Sequence, residues 1–300
     1  MDDAQHDVHD ERRRLLSMAY RMTGTVADAE DVVHDAFARW YRLTDAERSG
    51  IRNPAAWLTT VASRVALDLL TSARRRREQY VGQWLPEPVP LELFVAGSRV
   101  APASDLDDPL DRVARADAVA TALLVVMEAM TPAERVAFVL HDVFDVPFAD
   151  IAEVLGRSPA AARQLAASAR RHVQQDRVVD VSRGEHDRVV RAFHEASGRG
   201  SIHDLLRVLA PDVELHSDGG GVVNAARNVV TGADNVARFL FGIAAKRPAM
   251  QVEIVETGDG LAFLFREHGG IVAVVNLGVV AGAVARVWIV LNPEKLTTWR

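Results

Sequence analysis

The chain has 300 residues, enough for two or three domains of ordinary size. It has no cysteine, which excludes disulfide bonds and thiolate metal sites, and no apolar run long enough to span a bilayer, so we expect a cytoplasmic protein with no membrane contact. The net charge of −6 arises largely within residues 81–130, which hold eight acidic and three basic side chains, so basic clusters elsewhere can still contact phosphate groups.

The first 80 residues have a helical pattern. Apolar residues recur at helical spacing over 10–43, with a break at Gly24, and the polar stretch 44–53 predicts a loop. Pro54 suits the first turn of a further helix, whose apolar positions include Trp57. Acidic side chains gather near the start of the second helix, at Asp28, Glu30, Asp31 and Asp35. The third helix ends in a run of basic side chains, Arg74, Arg75, Arg76 and Arg77.

A proline-rich, acidic stretch from about 81 to 112 predicts a linker, and helical periodicity returns at 113–130. Thr131 to Glu134 has the pattern of a capping box at the start of a helix. A short helix over 148–155 stops at Gly156, and Ser158 opens another that runs to about Gln175. Three short helices with a glycine turn before the last are typical of a helix-turn-helix.

In a helix-turn-helix the second helix enters the major groove of DNA. Six polar or basic side chains of this helix are therefore candidate contacts to bases and phosphates: Ser158, Arg163, Gln164, Ser168, Arg170 and Arg171. A plain helical hairpin without DNA binding is the alternative interpretation of the same pattern.

Beyond residue 184 the pattern predicts an α+β domain. Residues 185–197, 201–210 and 234–245 favour helices, and 211–216 is extended. Alternating runs at 249–256, 261–267, 271–279 and 283–291, separated by glycine turns, predict a curved antiparallel sheet.

The order of these elements resembles a known family. The segment AYRMTGTVADAEDVVHDAFARWY is similar to the polymerase-binding part of sigma domain 2, and NPAAWLTTVASRVALDLLTSARRRR to the part that opens and reads the promoter −10 element. The stretch 131–175 is similar to sigma domain 4, which reads the −35 element. Two such domains with none between them resemble the extracytoplasmic-function sigma factors, which direct RNA polymerase to promoters.

Three further motifs, WLPEP at 84–88, DGGGV at 218–222 and NPEKL at 292–296, resemble a subgroup with a SnoaL-like domain fused after sigma domain 4. The chain departs from the family pattern at Val222, where lysine is usual, and at Ser168, where arginine is usual. The resemblance implies a multidomain protein with two all-α domains and an NTF2-like α+β domain. We expect sigma domain 2 at 6–79, a linker at 80–112, sigma domain 4 at 113–177 and the regulatory domain at 184–300.

The resemblance also implies roles for residues. The acidic helix would bind the β′ clamp of core RNA polymerase, and sigma domain 4 would bind the β flap. Contacts to the −10 element would come from the third helix and its preceding loop: Asn53, Arg64, Asp68, Arg74, Arg75, Arg76 and Arg77. Regulation between domains would involve the three subgroup motifs through Trp84, Leu85, Pro86, Asp218, Gly219, Gly220, Gly221, Asn292, Pro293 and Lys295.

Catalysis by the α+β domain has weaker support. SnoaL-like folds include cyclases and isomerases, and this region offers several candidate proton-transfer groups: His194, His203, His216, Asp212 and Asp218. No two of them form a recognisable catalytic pattern, so we predict no enzyme activity, no cofactor and no metal, although the domain could take a small-molecule ligand. Two alternatives stay open, a one-component ligand-responsive regulator and an enzyme tethered to DNA.

Overall fold

A computed structural model describes residues 2–77, 80–93, 121–176 and 181–299, with side chains described from Glu11 onward and not at 73–77. The chain divides into two compact units. The first consists of Met1–Glu78 and Val126–Gln175, and the second of Gln79–Val125 and Asp176–Arg300. Within the described ranges, every helix is too short or too polar to cross a membrane.

The described part of the first unit is helical. Its first four helices are α1 (Asp2–Thr23), α2 (Val26–Arg42), α3 (Asp45–Gly50) and α4 (Pro54–Arg77). Helix α5 (Thr121–Glu128) crosses the division, with residues 121–125 in the second unit and residues 126–128 in the first. The first unit continues with α6 (Pro132–Phe138), a π-helical turn (Val139–Val143), α7 (Phe148–Leu155) and α8 (Pro159–Gln175).

Local capping signals explain most of these helix boundaries. Thr131 and Glu134 form the predicted capping box of α6, each side chain bonding to the other residue's backbone N–H. The prediction of a loop over 44–53 was wrong in part, because Thr44 and Glu47 form a second capping box that starts α3. The chain leaves α7 through Gly156, whose φ of 62° lies in the left-handed region.

The second unit is α+β, as predicted. Its helices are α9 (Arg183–Gly198), α10 (Ile202–Leu206) and α11 (Ala233–Lys246). Its strands are β1 (Leu209–Asp218), β2 (Val230–Thr231), β3 (Gln251–Thr257), β4 (Gly260–Glu267), β5 (Gly270–Val280) and β6 (Ala283–Val290). They form one sheet in the order β2-β1-β6-β5-β4-β3.

Two predictions for the second unit, one for its sheet and one for a helix, need correction. It is mixed rather than antiparallel, because β1 pairs in parallel with β6, with His216 beside Trp288. The helix expected over 201–210 ends at Leu206, and β1 begins at Leu209. The parallel pairing joins strands about 70 residues apart in sequence, and local patterns carry no information about such pairs.

The two faces of the sheet bury different partners. One face packs against α9, α10 and α11 through a core that includes Phe193, Leu205 and Val236. The other face carries Trp288 and Val290, which pack with Leu85 from the proline-rich stretch and with Leu296 and Trp299 from the C-terminal tail. The linker motif therefore belongs to the hydrophobic core of the second unit.

We predict that Gly156→Ala destabilises the first unit by about 1 kcal/mol, because an L-residue at this positive φ is strained. No atom lies within 4 Å of the added methyl group, so the cost is one of backbone conformation. Urea unfolding followed by far-UV circular dichroism measures the change. Gly50→Ala in α3 is the control, since its φ is not positive and its surroundings are equally open, and it should not destabilise. Equal midpoints for the two variants would contradict the explanation.

Candidate nucleic-acid interface and linker site

Helix α8 presents one buried and one exposed face. Ala162, Ala166 and Ala169 are completely buried against the other helices of the unit, and their small size allows close packing. The predicted contacts Arg163, Gln164 and Arg171 are exposed, and the Ser158 hydroxyl accepts the N–H of Ala161 at 3.2 Å. The exposed face is therefore polar and basic.

Two other predicted DNA contacts point toward their own domain. Ser168 is half-buried and hydrogen-bonds to the Glu134 side chain. Burial would raise the pKa of Glu134, but the bonds from Ser168 and Thr131 outweigh burial and leave that pKa lowered. Arg170 donates from Nε to the Asp142 carboxylate. These contacts tie α8 to α6 and to the turn after it.

The side chains predicted for the −10 element differ in their surroundings. The Asn53 amide oxygen accepts the N–H of Ala56 at 3.1 Å and so caps α4. Arg64 is exposed and donates to the carboxylate and to the carbonyl oxygen of Glu153 in α7, at 3.0 and 3.1 Å. Asp68 is exposed one turn further along. The side chains of Arg74, Arg75, Arg76 and Arg77 lie outside the described residues.

Trp57 lies against the ring of Trp40, with 5.3 Å between ring centroids, which agrees with a packing role.

The acidic helix α2 exposes Glu30, Asp31 and Asp35. Asp28 instead accepts the Thr25 hydroxyl at 2.8 Å and helps to start the helix. Three of the four predicted polymerase-binding acids are thus available on one surface.

Sequence reasoning missed Arg135, which is only 3% exposed. Its guanidinium donates to the Met22 carbonyl at 3.0 Å, to the Met127 carbonyl at 2.6 Å and to the Glu128 carboxylate at 2.6 Å. Nothing in the sequence marks this arginine, because its partners come from the end of α1 and from α5.

The subgroup motifs meet in what we call the linker site, formed by Tyr80, Leu85, Asp218, Asn292 and Lys295. Asp218 is completely buried at the end of β1. One of its carboxylate oxygens accepts the Tyr80 hydroxyl at 2.6 Å, and the other accepts the Leu85 N–H at 2.9 Å. The first oxygen also accepts the N–H of Gly220 at 3.0 Å. Two of these donors belong to the linker, so the carboxylate holds that segment directly.

Lys295 supplies the counter-charge. Its ammonium lies 2.8 Å from the Asp218 carboxylate and donates to the Leu85 carbonyl. The same ammonium lies 4.0 Å from the ring centre of Trp84, within the range of a cation–π contact. Burial is the main cause that raises the pKa of Tyr80, and the bond to Asp218 adds to it, so this hydroxyl stays a donor.

The remaining motif residues shape the linker site. A side chain at Gly220 would lie 2.5 Å from Asn292, and one at Gly219 would lie 2.2 Å from a backbone oxygen, so only glycine fits. Gly221 has a φ of 74° and lies against Val81 of the linker. Asn292 donates to the Tyr80 hydroxyl at 3.1 Å, and Pro293 starts the short 3-10 helix that carries Lys295.

The C-terminal tail completes the contact with the linker. Pro86 is buried, and the indole N–H of Trp299 donates to the carbonyl of Pro88 at 2.8 Å. This bond was missed by sequence reasoning, since Trp299 stands outside the three motifs.

The candidate proton-transfer groups of the α+β domain occupy separate structural roles. His216 contacts Gln83 and Glu214, and burial is the main cause that lowers its pKa. His194 lies against the ring of Phe263, while His203 and Asp212 are exposed at the surface. Asp218 is committed to the linker site.

A buried histidine outside this candidate set, His186, contacts the Leu277 carbonyl at 2.9 Å and Asp187 at 3.3 Å. Burial would lower the pKa of His186, but these partners raise it above the ordinary value. In the described ranges we find no group of three or more potential ligands that could hold a metal ion.

The chain is similar to known proteins over almost its whole length. Residues 8–76 match the Sigma-70 region 2 family, and 120–173 match the Sigma-70, region 4 family. The chain is 41% identical to the ECF RNA polymerase sigma factor SigJ of Mycobacterium tuberculosis, over 95% of this chain and 91% of that protein. It is 34% identical to the probable ECF RNA polymerase sigma factor SigI of M. tuberculosis, over 96% and 93%. The crystal structure of M. tuberculosis SigJ aligns with a TM-score of 0.73 and 37% identity, covering 98% of each chain.

We predict that Lys295→Met destabilises the second unit by about 3–5 kcal/mol, because it leaves the Asp218 carboxylate buried without its counter-charge. Urea unfolding followed by tryptophan fluorescence measures the loss. The matched control is Lys246→Met, the same substitution at an exposed lysine at the end of α11, which should leave the transition in place. Equal effects of the two substitutions would contradict the role given to the ion pair.

Proposed function

The chain belongs to the extracytoplasmic-function sigma factors, and we propose a role in promoter recognition for each of the surfaces described above. An alternative sigma factor binds core RNA polymerase and directs it to promoters. The observation that carries the proposal is the combination of an exposed basic face on α8 with family matches over 8–76 and 120–173. We infer that the protein acts in the cytoplasm, where the polymerase works.

The polymerase contact is assigned to the exposed acids of α2. Glu30, Asp31 and Asp35 would face basic groups of the β′ clamp, where charge complementarity favours fast association. Asp28 also accepts the Thr25 hydroxyl, so it has a structural role at the start of the helix in addition to the predicted contact. The region 4 domain would bind the β flap.

The −10 contact is assigned to α4 and its start. Asn53 and Asp68 are exposed, and Arg64 reaches the surface while bonded to Glu153. An exposed ion pair of this kind contributes little to stability, so Arg64 can exchange Glu153 for a phosphate or base at low cost. Arg74, Arg75, Arg76 and Arg77 would track the DNA backbone.

The −35 contact is assigned to the exposed face of α8. Arg163, Gln164 and Arg171 are the side chains that would reach the major groove. Ser158 would fix the start of the helix near a phosphate. Ser168 and Arg170 hold α8 in place through their bonds to Glu134 and Asp142. We propose this structural role for them in addition to the predicted DNA contact.

We also propose the domain limits 6–79, 80–112, 113–177 and 184–300, with the last domain modulating the factor in cis through the linker site. The buried bonds from Tyr80 and Leu85 to Asp218 support this proposal. A domain that holds the segment between the two promoter-reading domains biases the conformations available to them. A small-molecule ligand of the α+β domain stays a prediction.

The two alternative functions, a one-component regulator and an enzyme tethered to DNA, fit these findings less well. A one-component regulator has no need of a region 2 domain, which this chain matches over 8–76. The relatives that cover almost the whole chain are transcription factors rather than enzymes, so an enzyme tethered to DNA is also set aside.

We predict that the purified protein and core RNA polymerase start transcription from a promoter selected from genomic DNA, with no other sigma factor present. Run-off transcription measures the product, and core enzyme alone is the control. Failure of the mixture to open any selected promoter would overturn the proposed function.

We predict that Arg163→Ala and Arg171→Ala weaken promoter binding. A lost base contact should cost about 1–3 kcal/mol and relax specificity at one position, whereas a lost phosphate contact should lower the salt dependence of log K by about one. Binding of the polymerase holoenzyme across a salt series separates the two cases. The control is Arg199→Ala, an exposed arginine of the α+β domain that is paired with Glu195 and lies outside the proposed DNA contacts, and it should keep the wild-type slope. Wild-type affinity and slope in both test variants would contradict the proposed docking.

A further inference from the structure

The α+β domain makes a second contact, distant in the sheet from the linker site. Asp259 lies in the turn between β3 and β4. Its carboxylate accepts the N–H of Thr121 at 2.9 Å and the N–H of Ala122 at 3.3 Å. These are the first two residues of α5, and the first N–H groups of a helix have no partner within the helix. Asp259 thus does for α5 what a local N-cap residue does for other helices.

A buried asparagine of the sheet fixes the position of the Asp259 carboxylate. Asn276, on β5 and 3% exposed, donates from its amide to Asp259 at 3.0 Å and to the Thr257 hydroxyl at 3.1 Å. Ala122 itself is buried in the hydrophobic cluster on the sheet face that carries Trp288, beside Leu264 and Val274. A polar bond at the helix end and an apolar contact one residue later hold the same turn of α5.

The turn that carries Asp259 is also constrained. Gly260 has a φ of 125°, and a side chain there would lie 2.3 Å from the Asp187 carboxylate. Asp187 accepts the N–H of Leu261 at 2.8 Å and contacts His186. The turn is therefore tied to α9 through Asp187.

We propose that Asp259 is a positioning residue for the −35-reading domain. Helix α5 begins the segment that matches region 4, so a carboxylate of the α+β domain sets where that segment starts. The inference rests on the proposed sigma-factor function and extends it. It uses none of the residues of the linker site. The turn of Asp259 joins β3 and β4, and β6 and β5 separate these strands from β1, which carries Asp218.

The readout that separates positioning from simple stability is the distance between promoter elements. A variant that only destabilises the protein lowers transcription equally from all templates. A variant that frees the start of region 4 tolerates a changed spacing between the −10 and −35 elements. We therefore compare run-off transcription by the full-length protein and core polymerase on one selected promoter with its spacing unchanged and altered by one and two base pairs.

Asp259→Ala should lower the preference for the unaltered spacing by roughly fivefold, the ratio that corresponds to loss of a typical N-cap. Asp259→Asn keeps one acceptor oxygen and should fall between Asp259→Ala and the wild type. Hydrogen exchange at the Thr121 and Ala122 amides should accelerate in the same order. The control is Asp234→Ala in α11, an exposed aspartate paired with Arg238, which should match the wild type in all three measurements.

An unchanged spacing preference in Asp259→Ala, with exchange at Thr121 accelerated, would overturn the inference. If Asp259→Ala does not fold, the conservative Asp259→Asn variant decides by the same criterion. Absence of transcription with the wild-type protein would instead overturn the proposed function, on which the inference rests.

Discussion

A fully buried carboxylate, that of Asp218, is the constraint on which the second unit depends. Moving an ionised carboxylate out of water costs several kcal/mol unless charge and hydrogen bonds compensate. Here four donors compensate: the Tyr80 hydroxyl, the N–H groups of Leu85 and Gly220, and the Lys295 ammonium. The linker, the turn after β1 and the C-terminal tail must therefore meet at this carboxylate. Displacing any of them leaves the buried charge without part of its compensation.

The burial of Leu85 follows from the same constraint. Its N–H donates to Asp218 and its carbonyl accepts from Lys295, while its side chain packs with Trp288 and Trp299 on the outer face of the sheet. A sheet with only one face covered would leave large aromatic side chains in water. The linker and the C-terminal tail cover that face, so the segment between the promoter-reading domains is at the same time part of a folded core. Under the proposed regulation in cis, regulation and stability of this domain would be physically linked, because the contact that restrains the linker also completes the core.

The sequence allowed prediction of what is encoded locally. Pro54, the Thr131 capping box and Gly156 mark helix ends through backbone rules that need no distant partner. The three motifs of the linker site could be located by resemblance, but not the atoms that join them. The parallel pairing of β1 with β6, the burial of Arg135 and the cap that Asp259 gives to α5 all depend on residues far apart in sequence. The bond of Ser168 to Glu134 could not be predicted, because position along a helix does not reveal which neighbour a side chain faces.

Hydrogen exchange at the Leu85 amide tests most directly whether the C-terminal domain holds the linker. This N–H donates to Asp218, so in the wild-type protein it should exchange as slowly as the amides at the centre of the sheet, such as that of Ala262. In Asp218→Asn, which keeps the shape but removes the charge, exchange at Leu85 should accelerate more than exchange at Ala262, because the variant weakens the bond to the Leu85 N–H in addition to lowering the stability of the whole unit. Fast exchange at Leu85 in the wild-type protein, or equal slow exchange in both proteins, would contradict the account.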